Sequence, residues 1–404
     1  MYAGEAERST GRTIVMTDSR WRVPLSDVEV DEELLAVGRD VLASGWWSMG
    51  PRVAELERQF AEYTGATHAL AVSNGTAALH LALLAVGCGH GDEVILPSLN
   101  FVAAANVVAL VGATPVFCDI TGTDDLNLDA ADLEAAMTPR TKAVIVLHYA
   151  GYACDLDAVL DVAERNGVVV IEDAAHAPGS RLRDRALGTF GSIGCFSFFA
   201  NKNLPVGEGG MVVTSDIELA ERLGLLRSHG MTTLTWQRHT GHASSYDVVE
   251  PGLNYRLDEL RAAIAAAQLA KLDVRNDARR RHALHYRRIL EGVEEVTLPF
   301  HVAGDDRSSA HHLVVALLSP DALRDDVRDR LRADGIQTSV HYPPIHGFAA
   351  YAEAGSRRPL PRTEDVARRI VTLPLYPHMS EDDVELVASS LIDAVRAERA
   401  ARNV

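Results

Sequence analysis

The chain has 404 residues, 47% of them apolar and 24% charged, with 39 basic side chains against 56 acidic ones for a net charge of −17. This is the composition of a folded soluble chain of two or three domains at roughly 150 residues each, and it excludes disordered, collagen-like and coiled-coil readings. The acidic balance opposes binding to nucleic acid or an anionic membrane, but leaves room for a local pocket that takes a phosphorylated small molecule.

Residues 1–22 mix charged and small polar groups without the apolar run of a secretory signal, and read as a flexible leader. Asp31 to Tyr63 holds two helices split by SGWWSMGP, where Gly and Pro break the periodicity. From Ala69 to Thr214, β-branched runs alternate with amphipathic segments. ALAVS precedes a helix from Thr76, and EVILP precedes one from about Asn100. TPVFCDI, KAVIVLHY, a helix from Asp155 and GVVVIED follow. This alternation predicts an α/β fold with a mostly parallel sheet between helices, and ligands at the carboxyl ends of its strands. The large domain is expected over 23–255.

Arg256 to Arg288 contains no Gly or Pro and predicts one long connecting helix, giving a connector over 256–290. A small α+β domain is expected over 291–404. Its elements are a strand at HHLVVALL, a helix from Pro320 to Asp334, a strand at IQTSVHY and a terminal helix from Glu381 to about Arg399. The stretch from Phe101 to Phe117 is interrupted by Asn106, Gly112 and Pro115 and is too short to span a bilayer. Cys88, Cys118, Cys154 and Cys195 form no CxxC pair, which argues against a zinc ribbon or a disulfide framework and for reduced thiols in a cytoplasmic protein without a metal site.

Three segments carry the candidate chemistry. Ser73-Asn74-Gly75-Thr76 follows a strand and opens a helix, so free backbone N–H groups, the positive helix end and a hydroxyl meet there; this suits an anion, though a plain N-cap has the same pattern. Glu172 and Asp173 end an apolar strand, where an acid points into the ligand crevice or caps a helix. In CFSFFANKNLPVGEGG, Ser197 and Lys202 lie in an aromatic run. Desolvation by Phe196, Phe198 and Phe199 would lower the lysine pKa until its neutral amine could attack a carbonyl, which makes Schiff-base chemistry plausible.

These segments, together with PSLNFVAAANVV, EDAAHAPGS, LRSHG, GLNYRLDELRAAIAAAQL, HYPPIH and LPLYP, make the chain resemble the DegT/DnrJ/StrS family from about Val23 to about Ala394. The family comprises pyridoxal-phosphate (PLP) sugar aminotransferases with the aspartate-aminotransferase fold, fold type I of PLP enzymes. The resemblance implies that Lys202 holds PLP as a Schiff base and serves as the general base, and that Asp173 pairs with the pyridine nitrogen. Gly75, Thr76 and Ser197 would hold the phosphate, Phe101 would stack on the ring, and His176 would sit beside the phenolic oxygen. Asn254 would reach the phosphate of a neighbouring subunit, making a homodimer with shared sites. The implied substrates are L-glutamate and a nucleotide-linked keto sugar, foremost a dTDP-4-keto-6-deoxyhexose aminated at C4 for a natural product or a surface glycan.

The sequence departs from the family pattern at Phe-Ala-Asn between Phe198 and Lys202, at Trp46 and Trp47, and in the long His-rich stretch Met231 to Asp247. Trp46, Trp47, His229, Trp236, Arg238, His239, His341 and Tyr342 are candidate substrate contacts. For the tryptophans a hydrophobic anchor is the alternative, and for the His-rich stretch a solvated loop. Amination at sugar C3 or of a keto-cyclitol is the runner-up. A PLP-dependent sugar dehydratase fits less well because of Lys202, and a PLP-binding regulator lacks any basic helix-turn-helix extension.

Overall fold

The computed structural model describes residues 21–233, 241, 245–300, 307–355 and 357–402. Seven strands form the central sheet: β1 (His68–Val72), β2 (Glu93–Pro97), β3 (Thr114–Cys118), β4 (Thr141–Leu147), β5 (Val169–Asp173), β6 (Ile193–Ser197) and β7 (Gly210–Thr214). Their order is β1-β7-β6-β5-β4-β2-β3. Neighbours from β6 through β3 run parallel, and β7 is antiparallel to both β6 and β1.

Period-2 alternation sends each strand's side chains to two cores. Val144, Val146, Val170 and Phe196 pack with helices α2 (Pro51–Thr64), α6 (Leu156–Asn166) and α8 (Glu259–Leu269). Ala143, Ile145, Ile171 and Cys195 pack on the other face with α3 (Gly75–Ala85), α4 (Ala103–Leu110) and α7 (Ile217–Arg227). Helix α1 (Glu32–Ser44) precedes α2, and α5 (Ala130–Ala136) lies between β3 and β4. All four cysteines are buried and free.

The outer edge of β1 is closed by side chains. Ala71 N–H donates to Glu57 Oε1 at 2.9 Å, Arg227 donates to Ala71 O at 2.8 Å, and the two side chains form an ion pair. Further along, Ser73 N–H donates to Tyr255 O at 2.8 Å and Val72 bridges to Arg256.

Residues 256–290 are two helices rather than one, α8 followed by α9 (Leu272–Leu290). The ladder breaks at Lys271 (φ −104°, ψ −2°), whose N–H donates to Gln268 O at 3.1 Å in place of the carbonyl four residues back. Its ammonium lies 2.6 Å from both Asp31 and Glu33 at the start of α1, a tie made 240 residues away that overrides good local helix propensity. A second sheet joins β8 (Val296–Thr297), β9 (Val314–Leu318) and β10 (Ile370–Leu373) in the order β8-β9-β10. It shares a core with α9, α10 (Arg324–Ala333) and α12 (Glu381–Arg402), while α11 (Pro361–Arg369) leads into β10. IQTSVHY does not form a strand. It makes only single bridges, Ile336 to Val23 and Ser339 to Thr372, and the ladder beside β9 is taken by β10. Among the described residues, no helix is long and apolar enough to cross a membrane.

Candidate active site

A cavity of about 610 Å³ opens at the carboxyl ends of the parallel strands, lined in part by Leu147, Asp173 and Ser197 at the ends of β4, β5 and β6. Gly75 and Thr76 reach it from the first turn of α3, whose N-cap Asn74 accepts a hydrogen bond from Ala77 N–H at 2.8 Å. A Cβ on Gly75 would meet Ser197 Cβ at 2.8 Å, so only glycine lets the helix end approach the end of β6 this closely. The result is a cradle of N–H groups and a hydroxyl at the positive end of a helix dipole.

Of the two consecutive acids, only Asp173 lines the cavity. Strand alternation turns Glu172 to the opposite face, where it is fully buried and accepts from Gly188 N–H at 2.7 Å and Gly191 N–H at 2.6 Å, and pairs with His148 Nε2 at 2.8 Å. Burial raises the Asp173 pKa, and Ala175 N–H, Lys202 and His148 oppose that shift. Lys202 shares the cavity, and burial pushes its pKa down to about 8 against the upward pull of Asp173. The expected aromatic cage is only partly there. Phe196 and Phe198 pack on Phe60 beneath the sheet, with ring centroids 5.0 and 5.6 Å away, and Phe199 alone of the three lines the cavity. Asn203 anchors the Lys202 loop by donating to Asn276 at 2.7 Å and to Ala310 O at 2.8 Å.

His176 is buried in the cavity wall, with its pKa well below the ordinary value because of desolvation. Ala150 N–H donates to its Nδ1 at 3.3 Å, so Nε2 carries the proton and donates to Tyr342 Oη at 2.8 Å. His341 also lines the cavity; it bonds Thr372 Oγ1 at 2.9 Å, and burial holds its pKa near 4. Phe101 is 56% exposed at the mouth, 6.0 Å from the Tyr342 ring.

Other expected residues stand apart. Asn254 is exposed and outside this cavity, although the adjacent Tyr255 lines it and bonds His80 at 3.0 Å. Trp46, exposed Trp47 and exposed His229 do not line the cavity either. Trp236, Arg238 and His239 lie outside the described residues. Sequence reasoning missed Asn100, Asn201, Glu208 and Tyr255, all of which line the cavity. Asn100 stood inside a quoted motif, but nothing local marked it as facing Asp173.

The donor set fits pyridoxal phosphate: an anion cradle, an exposed aromatic face, a buried carboxylate and a lysine of lowered pKa meet in one cavity. Asn100 adds a buried amide whose Nδ2 has no hydrogen-bond partner. Such a site at the strand ends of this sheet defines a PLP-dependent transferase of fold type I. The Bacillus subtilis spore coat polysaccharide biosynthesis protein SpsC is 40% identical over 93% of this chain and 97% of its own length. The sugar aminotransferase CalS13 from Micromonospora echinospora superposes with a TM-score of 0.84 at 32% identity, over 92% of this chain and 99% of its own. The PLP form of Spr1654 from Streptococcus pneumoniae superposes with a TM-score of 0.86 at 27% identity, over 93% and 99%. Residues 28–392 match the DegT/DnrJ/EryC1/StrS aminotransferase family, and the chain belongs to it. It is a PLP-dependent aminotransferase.

Proposed function

We propose that the enzyme is a sugar aminotransferase that moves the amino group of L-glutamate to the C4 ketone of a dTDP-4-keto-6-deoxyhexose, acting as a homodimer with shared sites. The observation that carries the reading is the meeting of Lys202, Asp173 and the Gly75–Ser197 cradle in one cavity large enough for cofactor and sugar together. Its likeness to CalS13, a sugar aminotransferase, and to SpsC, a polysaccharide biosynthesis protein, supports a sugar acceptor.

When bound, pyridoxal phosphate supplies an electron sink for the carbon that bears the transferred amine. Lys202 anchors it and carries the proton to and from that carbon, a task suited to an amine whose pKa lies near the working pH. Asp173 holds the ring nitrogen's proton by charge, Gly75, Thr76 and Ser197 hold the phosphate, and Phe101 covers the ring. His176, fixed as the Nε2–H tautomer, is placed to orient Tyr342 and the phenolic oxygen. Asn254, turned away from its own cavity, is assigned to the partner's phosphate.

The test incubates the holoenzyme with ¹⁵N-glutamate and the dTDP-keto sugar, and locates the label by NMR. Label on C4 is expected. Label at C3 would move the reaction to the neighbouring carbon, and no transfer to any nucleotide sugar would overturn the acceptor class.

A further inference from the structure

Asn100 follows β2 and is 1% exposed, yet its Nδ2 has no hydrogen-bond partner. Its orientation is not free to flip, because Oδ1 accepts Phe101 N–H at 2.6 Å, a bond that the amide nitrogen could not accept. Two N–H donors are thus held unmet at the cavity wall, where burial makes an unpartnered donor costly. The group that feels them is Asp173. Asp173 lines the same cavity, and Asn100 is the last and weakest of the influences that lower its pKa against the upward push of burial, with no bond closed between the two in this structure.

We propose that Asn100 is a positioning residue whose unmet amide donates to the Asp173 carboxylate when the cofactor is bound, makes it a weaker base, and so keeps the shared proton on the cofactor's ring nitrogen. The inference rests on Asp173 being the partner of that nitrogen. Other groups also face Asp173. Lys202 and His148 lower its pKa, and Asp173 in turn raises the pKa of Tyr342 and Cys195. Glu172, its chain neighbour, is already committed to His148, Gly188 and Gly191. Ala175 N–H already donates to Asp173 Oδ1 at 3.2 Å, and Asn100 adds a second neutral donor, from a side chain fixed by a backbone bond and open to substitution. Removing the donor leaves Asp173 more basic, and the proton moves from nitrogen toward oxygen.

The experiment loads the protein with ring-¹⁵N pyridoxal phosphate and reads the nitrogen chemical shift of the holoenzyme. Asn100→Ser keeps an acceptor for Phe101 N–H and deletes the donor; Asn100→Asp keeps the acceptor and turns a negative group toward Asp173. Both should move the resonance toward the unprotonated pyridine value, Asn100→Asp further than Asn100→Ser, while Asn100→Gln recovers part of the wild-type shift. Asp173→Asn is the reference. If it moves the resonance and neither Asn100→Ser nor Asn100→Asp does, Asn100 has no such role. If Asp173→Asn leaves the resonance in place, the Asp173 assignment fails and this inference with it.

Discussion

Lys202 and Asp173 face one cavity, and burial pushes their pKa values in opposite directions, the lysine down and the acid up. In the cofactor-free protein the Lys202 pKa falls from 10.5 to about 8. Between those values the unfolded chain binds more protons than the folded one. Stability from this group therefore rises with pH across the window and is lost as pH falls through it. Apo Lys202→Met should melt above apo wild type near pH 7, with the gap closing toward pH 10.5; a gap that ignores pH would place the amine in water. Asp173→Asn keeps the shape and removes the charge. Its kcat should fall by roughly 10² to 10⁴ with cofactor still bound, and near wild-type turnover by steady-state assay would take Asp173 off the catalytic list. The place of both in the cavity was legible because Asp173 ends an apolar strand and Lys202 stands in an aromatic run before a Gly-rich turn. The turning of Glu172 and Phe196 to the opposite face of the sheet depended on which side each strand presents, and the burial of Asn100 on the path of the turn after β2; no short motif states either.

At the scale of elements, Glu259 shows how a loop is held. From the first turn of α8 it accepts N–H bonds from Gly50, Arg52 and Val53 at 2.9 to 3.0 Å, capping α2, while its own N–H donates to Trp47 O at 3.0 Å. Gly50 is required at that turn, because a Cβ there would lie 2.7 Å from Trp46 Nε1. Glu259→Ala should cost about 2–3 kcal/mol, the range for several bonds to one charged acceptor, read from urea unfolding together with a changed tryptophan emission. A loss under about 0.5 kcal/mol would mean that Pro51 and packing alone start α2. The strands from β1 to β5 were legible as apolar runs bounded by turns, while β6 and β7, inside and just after an aromatic run and a Gly-rich turn, were not singled out. The break between α8 and α9 was not, since Ala270-Lys271 is good helix sequence and the reason for stopping lies in α1. IQTSVHY has strand composition, but the place beside β9 went to Ile370–Leu373, a competition settled only when the chain packs.

For the whole molecule, the proposed sharing of sites makes activity a property of pairs. Lys202→Ala and Asn254→Ala homodimers should each be weak. Mixed under conditions that exchange subunits, they should regain roughly a quarter of wild-type activity per site, because each mixed dimer carries one intact site. If mass spectrometry verifies exchange and no activity returns, Asn254 does not serve a partner. The fold class and the sheet were readable from local alternation, and the cofactor from the ordered motifs that carry the family resemblance; what faces a neighbouring chain is set by surfaces far apart in sequence. The ion pair of Glu57 and Arg227 along β1 bears on a different risk. A seven-stranded sheet ends in an open row of amides and carbonyls, which can recruit a strand from another chain. Here an acid answers the amide of Ala71 and a guanidinium answers its carbonyl, so two side chains occupy the place of an eighth strand. A crowded cell thus meets a finished border instead of a template for fibril growth.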